Sequence, residues 1–262
     1  MKLGLTGLVA VVTGGASNIG RAISHELAGE GATVAILDRD HEMAERTAAE
    51  ITSDGGGAAT YAVDLTDTDA TAAAVAAVES DIGPIAVLVN NVGWNGTAGF
   101  FLDLPPERWE QAYRRNLLPT FNATRAVLPA MVERRGGAIV SIASDAGFGE
   151  PRMGDYGPMK AGVMAFGRTI AKEYGRYGVR SNVVCPGLVI PADGAIGAGS
   201  LWQQEVGFGE RQIADIERSI PLRRRPEAGD IASTVTFLAS STKAGMLTGQ
   251  VISVSGGFAM PR

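Results

Sequence analysis

Leu8 to Thr13 reads LVAVVT, a nearly continuous apolar run that breaks into Gly14-Gly15-Ala16-Ser17-Asn18-Ile19-Gly20. Ile19, Ile23 and Leu27 then recur every four residues. Few folds admit this order. An apolar run without alternation suits a parallel strand covered on both faces, and the four-residue period is the buried stripe of a helix. Strand, glycine-rich turn and helix start together form an anion site, because backbone N–H groups and the positive helix end face a phosphate. Gly14, Ser17, Asn18 and Ile19 are therefore expected to meet a nucleotide.

The alternation continues. Thr33 to Leu37 predicts a second strand ending at Asp38, where a carboxylate can bond ribose hydroxyls and repel a 2′-phosphate. That favours NAD over NADP, although Arg39 follows at once and offers a 2′-phosphate partner. A helix from about His41 to Ile51 leads through Gly55-Gly56-Gly57 to a short strand near Tyr61 to Val63. Asp64-Leu65 follows, with Asp64 placed to bond an adenine amino group. An alanine-rich helix over Asp69 to Val78 precedes a strand over Ile85 to Val89, which ends in Asn90-Asn91-Val92-Gly93. Strands alternating with helices imply an α/β fold: a doubly wound parallel sheet, about seven strands in all, with helices on both faces. Its ligands sit outside the strands' carboxyl ends.

Beyond Gly93, Pro105 and Pro106 predict the first turn of one long helix to about Arg134, kinked at Pro119 just after Asn116. Ala138 to Ala143 is another buried strand, with Ser144 at its carboxyl end. Tyr156 and Lys160, in the run YGPMK, open a helix whose apolar positions are Val163, Phe166, Ile170 and Tyr174. Four residues apart on a helix, a phenol and an ammonium sit side by side. The positive charge is expected to lower the Tyr156 pKa, so that the phenol exchanges a proton with an alcohol or carbonyl oxygen. Ser181 to Cys185, a helix near Glu227 to Leu238 and Gln250 to Ser253 complete the sheet. The glycine-rich stretch at about 191–219 reads as a substrate lid on a single domain spanning 1–262.

Composition excludes several classes. A net charge of -5 provides no basic field for nucleic acid. A lone Cys185 in an apolar run offers neither a disulfide nor a metal cluster. No stretch approaches ~18 uninterrupted apolar residues, so no membrane span is expected. The run from Met1 to Val12 leads into TGG rather than a cleavage site, which reads as a strand and not a signal peptide. These features together predict a soluble, cytoplasmic protein.

TGGASNIG, Asp64-Leu65, NNVG, Asn116, Ser144, YGPMK and Pro186-Gly187 resemble, in order and spacing, the motifs of the short-chain dehydrogenase/reductase family from Leu5 to Gly257. The resemblance implies a Rossmann-type domain, a nicotinamide cofactor and usually a homotetramer. Carried over onto this chain, it implies that Tyr156 is the acid/base and that Ser144 bonds the substrate oxygen. Lys160 lowers the Tyr pKa and holds the nicotinamide ribose. The backbone carbonyl of Asn116 holds a water that links Lys160 to solvent. Asn91 and Gly93 belong to the cofactor motif, and Pro186, Gly187 and Val189 turn over the nicotinamide.

Two positions depart from the family pattern. Asn18 replaces a glycine, at a place where asparagine tolerates positive φ. Pro191 stands where a threonine often bonds the nicotinamide amide.

Trp94, Phe148, Met153, Trp202 and Phe208 are read as an apolar substrate pocket around Ser144 and Tyr156. The runs GW, VERR, IASDA, NVVCPG and GQVISVSGG look most similar to a branch that oxidises a ring secondary alcohol, the 2-hydroxycyclohexanecarboxyl-CoA dehydrogenases. The expected reaction is NAD-linked interconversion of a bulky, cyclic secondary alcohol and its ketone, with CoA attachment left open. The alternatives are a 3-oxoacyl thioester reductase and a dinucleotide-binding protein without turnover.

Overall fold

The computed structural model describes residues 2–96, 98–192, 194–197 and 209–260. Seven parallel strands form one sheet in the order β3-β2-β1-β4-β5-β6-β7. They are β1 (Val9–Thr13), β2 (Thr33–Asp38), β3 (Gly57–Ala62), β4 (Ile85–Asn90), β5 (Gly137–Ile142), β6 (Val179–Pro186) and β7 (Val251–Val254). The helices between them are α1 (Asn18–Gly29), α2 (His41–Ser53), α3 (Thr68–Asp81), α4 (Glu107–Asn116), α5 (Leu118–Glu133) and α6 (Tyr156–Tyr174). Two more, α7 (Glu210–Ser219) and α8 (Ala228–Ala239), lie between β6 and β7.

Alternate strand residues face opposite sides, which is why a sheet buried on both faces reads as unbroken apolar sequence. Ala10, Val12, Val34, Ile36, Val87 and Val89 pack with Ile23 and Leu27 of α1, Ile51 of α2 and Ile231, Val235 and Leu238 of α8. Val9, Val11, Ala35, Leu37 and Leu88 face the other way, onto Val75 and Val78 of α3, Val127 and Met131 of α5 and Ile170 of α6. Ile23, Leu27, Ile36 and Leu88 have no solvent exposure. Each such side chain contributes on the order of 2 kcal/mol through burial.

The helix expected as one kinked rod is two. Leu117 separates α4 from α5 with φ -114° and ψ -43°, and Pro119 falls in the first turn of α5. A proline there lacks only an N–H that has no helical partner. Proline inside a helix does occur here, at Pro129. The break leaves Asn116 as the last residue of α4, fully buried.

Two further differences concern boundaries. β3 starts at Gly57, earlier than the expected strand near Tyr61, and Gly57 pairs with Thr33. Part of the expected lid is the helix α7, whose Ile213, Ile216 and the following Ile220 recur on one face. Trp202 and Phe208 lie outside the described residues. No helix among those residues is long and apolar enough to cross a membrane.

Candidate active site

Strands β1 and β4 are neighbours although β2 and β3 come between them in the chain and lie on the other side of β1, so the order of the strands reverses across the sheet between β1 and β4. A cavity of about 880 Å³ opens there at the carboxyl ends of the strands. Gly14, Ser17, Asn18, Ile19, Asp38, Asp64 and Leu65 line one half. Ser144, Tyr156, Lys160, Pro186, Gly187 and Val189 line the other, with Asn91 and Gly93 between.

Tyr156 is the first residue of α6, and its N–H donates to the Asp155 carboxylate at 2.9 Å. Asp155 also meets Arg108 of α4 at 2.7 Å, which ties the start of α6 to the neighbouring helix. One turn on, Lys160 is fully buried, its Nζ 5.8 Å from the centroid of the Tyr156 ring. Nζ donates to the Ile142 carbonyl at 3.0 Å. The Ser144 hydroxyl accepts from Ala146 N–H at 3.2 Å and interacts with the Tyr156 phenol.

The expected lowering of the Tyr156 pKa does not hold in this arrangement. Burial pushes the phenol up to about 12, against a smaller downward pull from the Ser144 hydrogen bond. Burial also lowers Lys160 to about 8. Loss of water is the largest cause of both shifts.

The side-chain amide of Asn116 is fully engaged. Its Oδ1 accepts from Trp94 N–H at 2.8 Å, and its Nδ2 donates to the carbonyls of Trp94 at 2.9 Å and Ala112 at 3.0 Å. The amide thus pins the Gly93–Trp94 backbone to the end of α4. Gly93 has no room for a side chain. A Cβ there would lie 2.5 Å from Lys160 Nζ and 3.0 Å from Asn116 Oδ1.

The other half fits a dinucleotide by the same test. A Cβ on Gly20 would lie 2.0 Å from the Gly14 carbonyl oxygen, so the first turn of α1 packs directly on the glycine loop. Asn18 adopts φ 45°, the positive value that asparagine tolerates. Asn91 Nδ2 donates to the carbonyls of Thr13 at 3.1 Å and Gly14 at 2.9 Å, fixing the loop to the end of β4. Asp38 accepts from Ala16 N–H at 3.1 Å and Asp40 N–H at 3.0 Å, which holds its carboxylate at the cavity wall. Asp64 accepts from Thr66 N–H at 2.9 Å. The segment at 194–197 reaches back to this turn, where Asn18 N–H donates to the Ala195 carbonyl at 2.8 Å.

Of the residues expected around the substrate, Trp94 and Met153 line the catalytic end. Phe148 does not. It sits in a short 3-10 turn with 42% of its surface exposed, outside the cavity wall. Ser141, on β5 three residues before Ser144, faces the interior of the sheet and accepts from Asn90 Nδ2 at 3.2 Å. Several lining residues went unread: Asp145, Arg115, Arg152, and Gln212 and Ile216 of α7. Asp145 and Arg115 are the direct chain neighbours of Ser144 and Asn116, the one signal that pointed to them.

A family model described as short chain dehydrogenase matches residues 8–194. The chain is 33% identical over 259 residues to a 2,3-dihydro-2,3-dihydroxybenzoate dehydrogenase of Bacillus subtilis (strain 168), covering 97% of each. It is 42% identical over 231 residues to an inactive 2-(S)-hydroxypropyl-CoM dehydrogenase 2 of Xanthobacter autotrophicus, with 87% of this chain and 95% of that one aligned. A 3-oxoacyl-[acyl-carrier-protein] reductase of Haemophilus influenzae is 33% identical over 254 residues, 97% of this chain and 98% of that one. The crystal structure of gox2181 matches with a TM-score of 0.89 and 31% identity, over 98% of this chain and 97% of that one.

Proposed function

The chain belongs to the short-chain dehydrogenase family, whose members bind a nicotinamide dinucleotide, and on that footing we propose that it interconverts a bulky, cyclic secondary alcohol and its ketone with NAD. One observation carries the reading. Tyr156, Ser144 and Lys160 open onto the same cavity as the glycine turn and Asp38.

A bound nicotinamide would supply the hydride chemistry. The protein's part is the proton. Tyr156, neutral in the unliganded chain, gives its proton to the ketone oxygen in reduction and takes it back in oxidation. Ser144 holds that oxygen by a hydrogen bond. Lys160, cationic below about pH 8, stabilises the phenolate left behind. Asn116 fixes the Gly93–Trp94 backbone, and Gly93 leaves the space that Lys160 Nζ occupies.

Asp38 supports NAD, since a 2′-phosphate would stand against its carboxylate. It argues against the alternative, an NADP-linked 3-oxoacyl thioester reductase. Trp94, Met153, Ile216 and Ile220 give the cavity apolar walls, which suits a ring better than a short chain. A screen of secondary alcohols with NAD and NADP, run in parallel with their CoA thioesters, tests the proposal. Preference for NADP, or for short linear alcohols, counts against it. Stoichiometric NADH binding with no turnover would favour a dinucleotide-binding protein instead.

A further inference from the structure

Two guanidinium groups border the catalytic end of the cavity without a carboxylate partner among the described residues. Arg115 precedes Asn116 at the end of α4 and lines the main cavity. It also lines an adjoining pocket of about 190 Å³, together with Trp94 and Tyr156. Arg152 lies four residues before Tyr156 and lines the main cavity beside Met153. Its carbonyl accepts from Gly99 N–H at 3.0 Å, and its guanidinium stands 5.1 Å from the centroid of the Phe100 ring.

An exposed arginine alone means little, and the contrast with its neighbours matters more. Two other arginines of α4 are neutralised: Arg108 by Asp155 at 2.7 Å and Arg114 by Glu110 at 2.9 Å. Among the described residues, no carboxylate lies within 4.0 Å of Arg115 or Arg152. Glu150 lines the same wall but pairs with neither, and Asp145 is buried and bonded to Ser253. Arg152 holds φ 67°, a conformation that a residue with a Cβ rarely adopts. Arg135 and Arg223 share it away from the cavity, so placement, not strain, carries the argument.

A guanidinium presents paired donors that match a carboxylate's two oxygens. We infer that Arg115 and Arg152 form an anion-binding end of the substrate site, so that the alcohol this chain acts on carries a carboxylate-type group beyond its carbinol carbon. This rests on the oxidoreductase reading for its substrate, but the anion site can be measured without turnover.

The test has two arms. In the first, NADH-loaded protein is titrated calorimetrically with cyclohexanecarboxylate, which has no carbinol, and with its methyl ester. The acid should bind and the ester should bind at least tenfold more weakly. Arg115→Met and Arg152→Met should each weaken the acid roughly tenfold or more, and added salt should weaken it further. In the second arm, the 2-, 3- and 4-hydroxycyclohexanecarboxylates and their methyl esters are compared by kcat/KM with NAD. One positional isomer should dominate, and its preference over the ester should fall at least tenfold in either variant, mainly through KM.

Equal binding of acid and ester overturns the inference. So does a loss of NADH affinity in Arg115→Met with acid binding intact, because the arginine then serves the cofactor. Arginine-dependent acid binding without any turnover supports the anion site and overturns the oxidoreductase reading instead. Turnover of neutral alcohols without acid binding does the reverse.

Discussion

Lys160 Nζ stands 5.8 Å from the centroid of the Tyr156 ring while its hydrogen bond goes to the Ile142 carbonyl at the end of β5. The ammonium is thus fixed beneath the phenol by the sheet and not by the phenol itself. Lys160 loses its charge above about pH 8, whereas Tyr156 keeps its proton up to about 12. The form suited to ketone reduction, a neutral phenol beside a cation, therefore persists below about 8 and fades above it. Ketone reduction should be flat in pH below about 7.5 and fall beyond 8. In Lys160→Met the residual rate should lose that limb. An unchanged limb in the variant would assign it to another group.

Gly93 is where the site tolerates least. In Gly93→Ala the new Cβ meets Lys160 Nζ at 2.5 Å and Asn116 Oδ1 at 3.0 Å, so one of them must move. A displacement of about 1 Å near the chemistry costs up to ~10²-fold in rate. Turnover should fall by roughly that factor with little change in melting temperature. A variant as active as the wild type would show that Lys160 has room to spare.

Asp38 is held at the cavity wall by two backbone N–H groups. In Asp38→Ala the affinity for NAD should drop roughly tenfold, as for loss of a charged hydrogen bond, while NADP binding should improve. Titrating both cofactors by fluorescence checks this. If the unmutated protein prefers NADPH, Arg39 decides the choice and the role given to Asp38 is wrong.

Asp145 predicts a stability effect. Burial pushes its carboxyl up from 3.8 to about 6, against hydrogen bonds from Ser253 and Ser255. A folded value above the unfolded one means that the folded chain holds a proton the unfolded chain releases. The favourable contribution is complete below about pH 4 and lost as pH rises through about 6. Asp145→Asn removes the buried charge and should stabilise the protein at pH 8 by about 1–3 kcal/mol, with little effect at pH 4. Thermal melts at both values decide it. The same shift at both would mean that the carboxyl is not titrating in this range.

The sheet was legible because burial on both faces writes parallel strands as apolar runs, and β1, β2, β4 and β5 matched within a residue or two. β3 was read late. It is an edge strand whose residues are only partly buried, so small residues replace the apolar signal. The separation of α4 from α5 was half visible: Pro119 marked the place, but a proline in a first turn and one inside a helix look alike without the backbone. α7 went unread because glycines around it masked Ile213, Ile216 and Ile220.

In the site, residue identity was legible and energetics were not. Spacing placed Tyr156 and Lys160 together, but how much water each loses depends on what packs over them, so the direction of the Tyr156 shift came out reversed. Phe148 shows the same limit. Proximity in the chain to Ser144 and Tyr156 did not put it in the cavity, because the 3-10 turn carries its ring outward. Asn116 was recognised, but the grip of its side chain on Trp94 needed the break at Leu117 to be seen.

The central claim is that Tyr156 moves the proton while the cofactor site stands independently of it. The direct measurement compares Tyr156→Phe with wild type for NADH affinity by fluorescence and for NAD-linked oxidation of cyclic secondary alcohols. The ring is kept and only the hydroxyl is lost, so NADH affinity should stay within about twofold while kcat falls ~10²–10⁴-fold. A variant that keeps more than half the wild-type kcat would contradict the account.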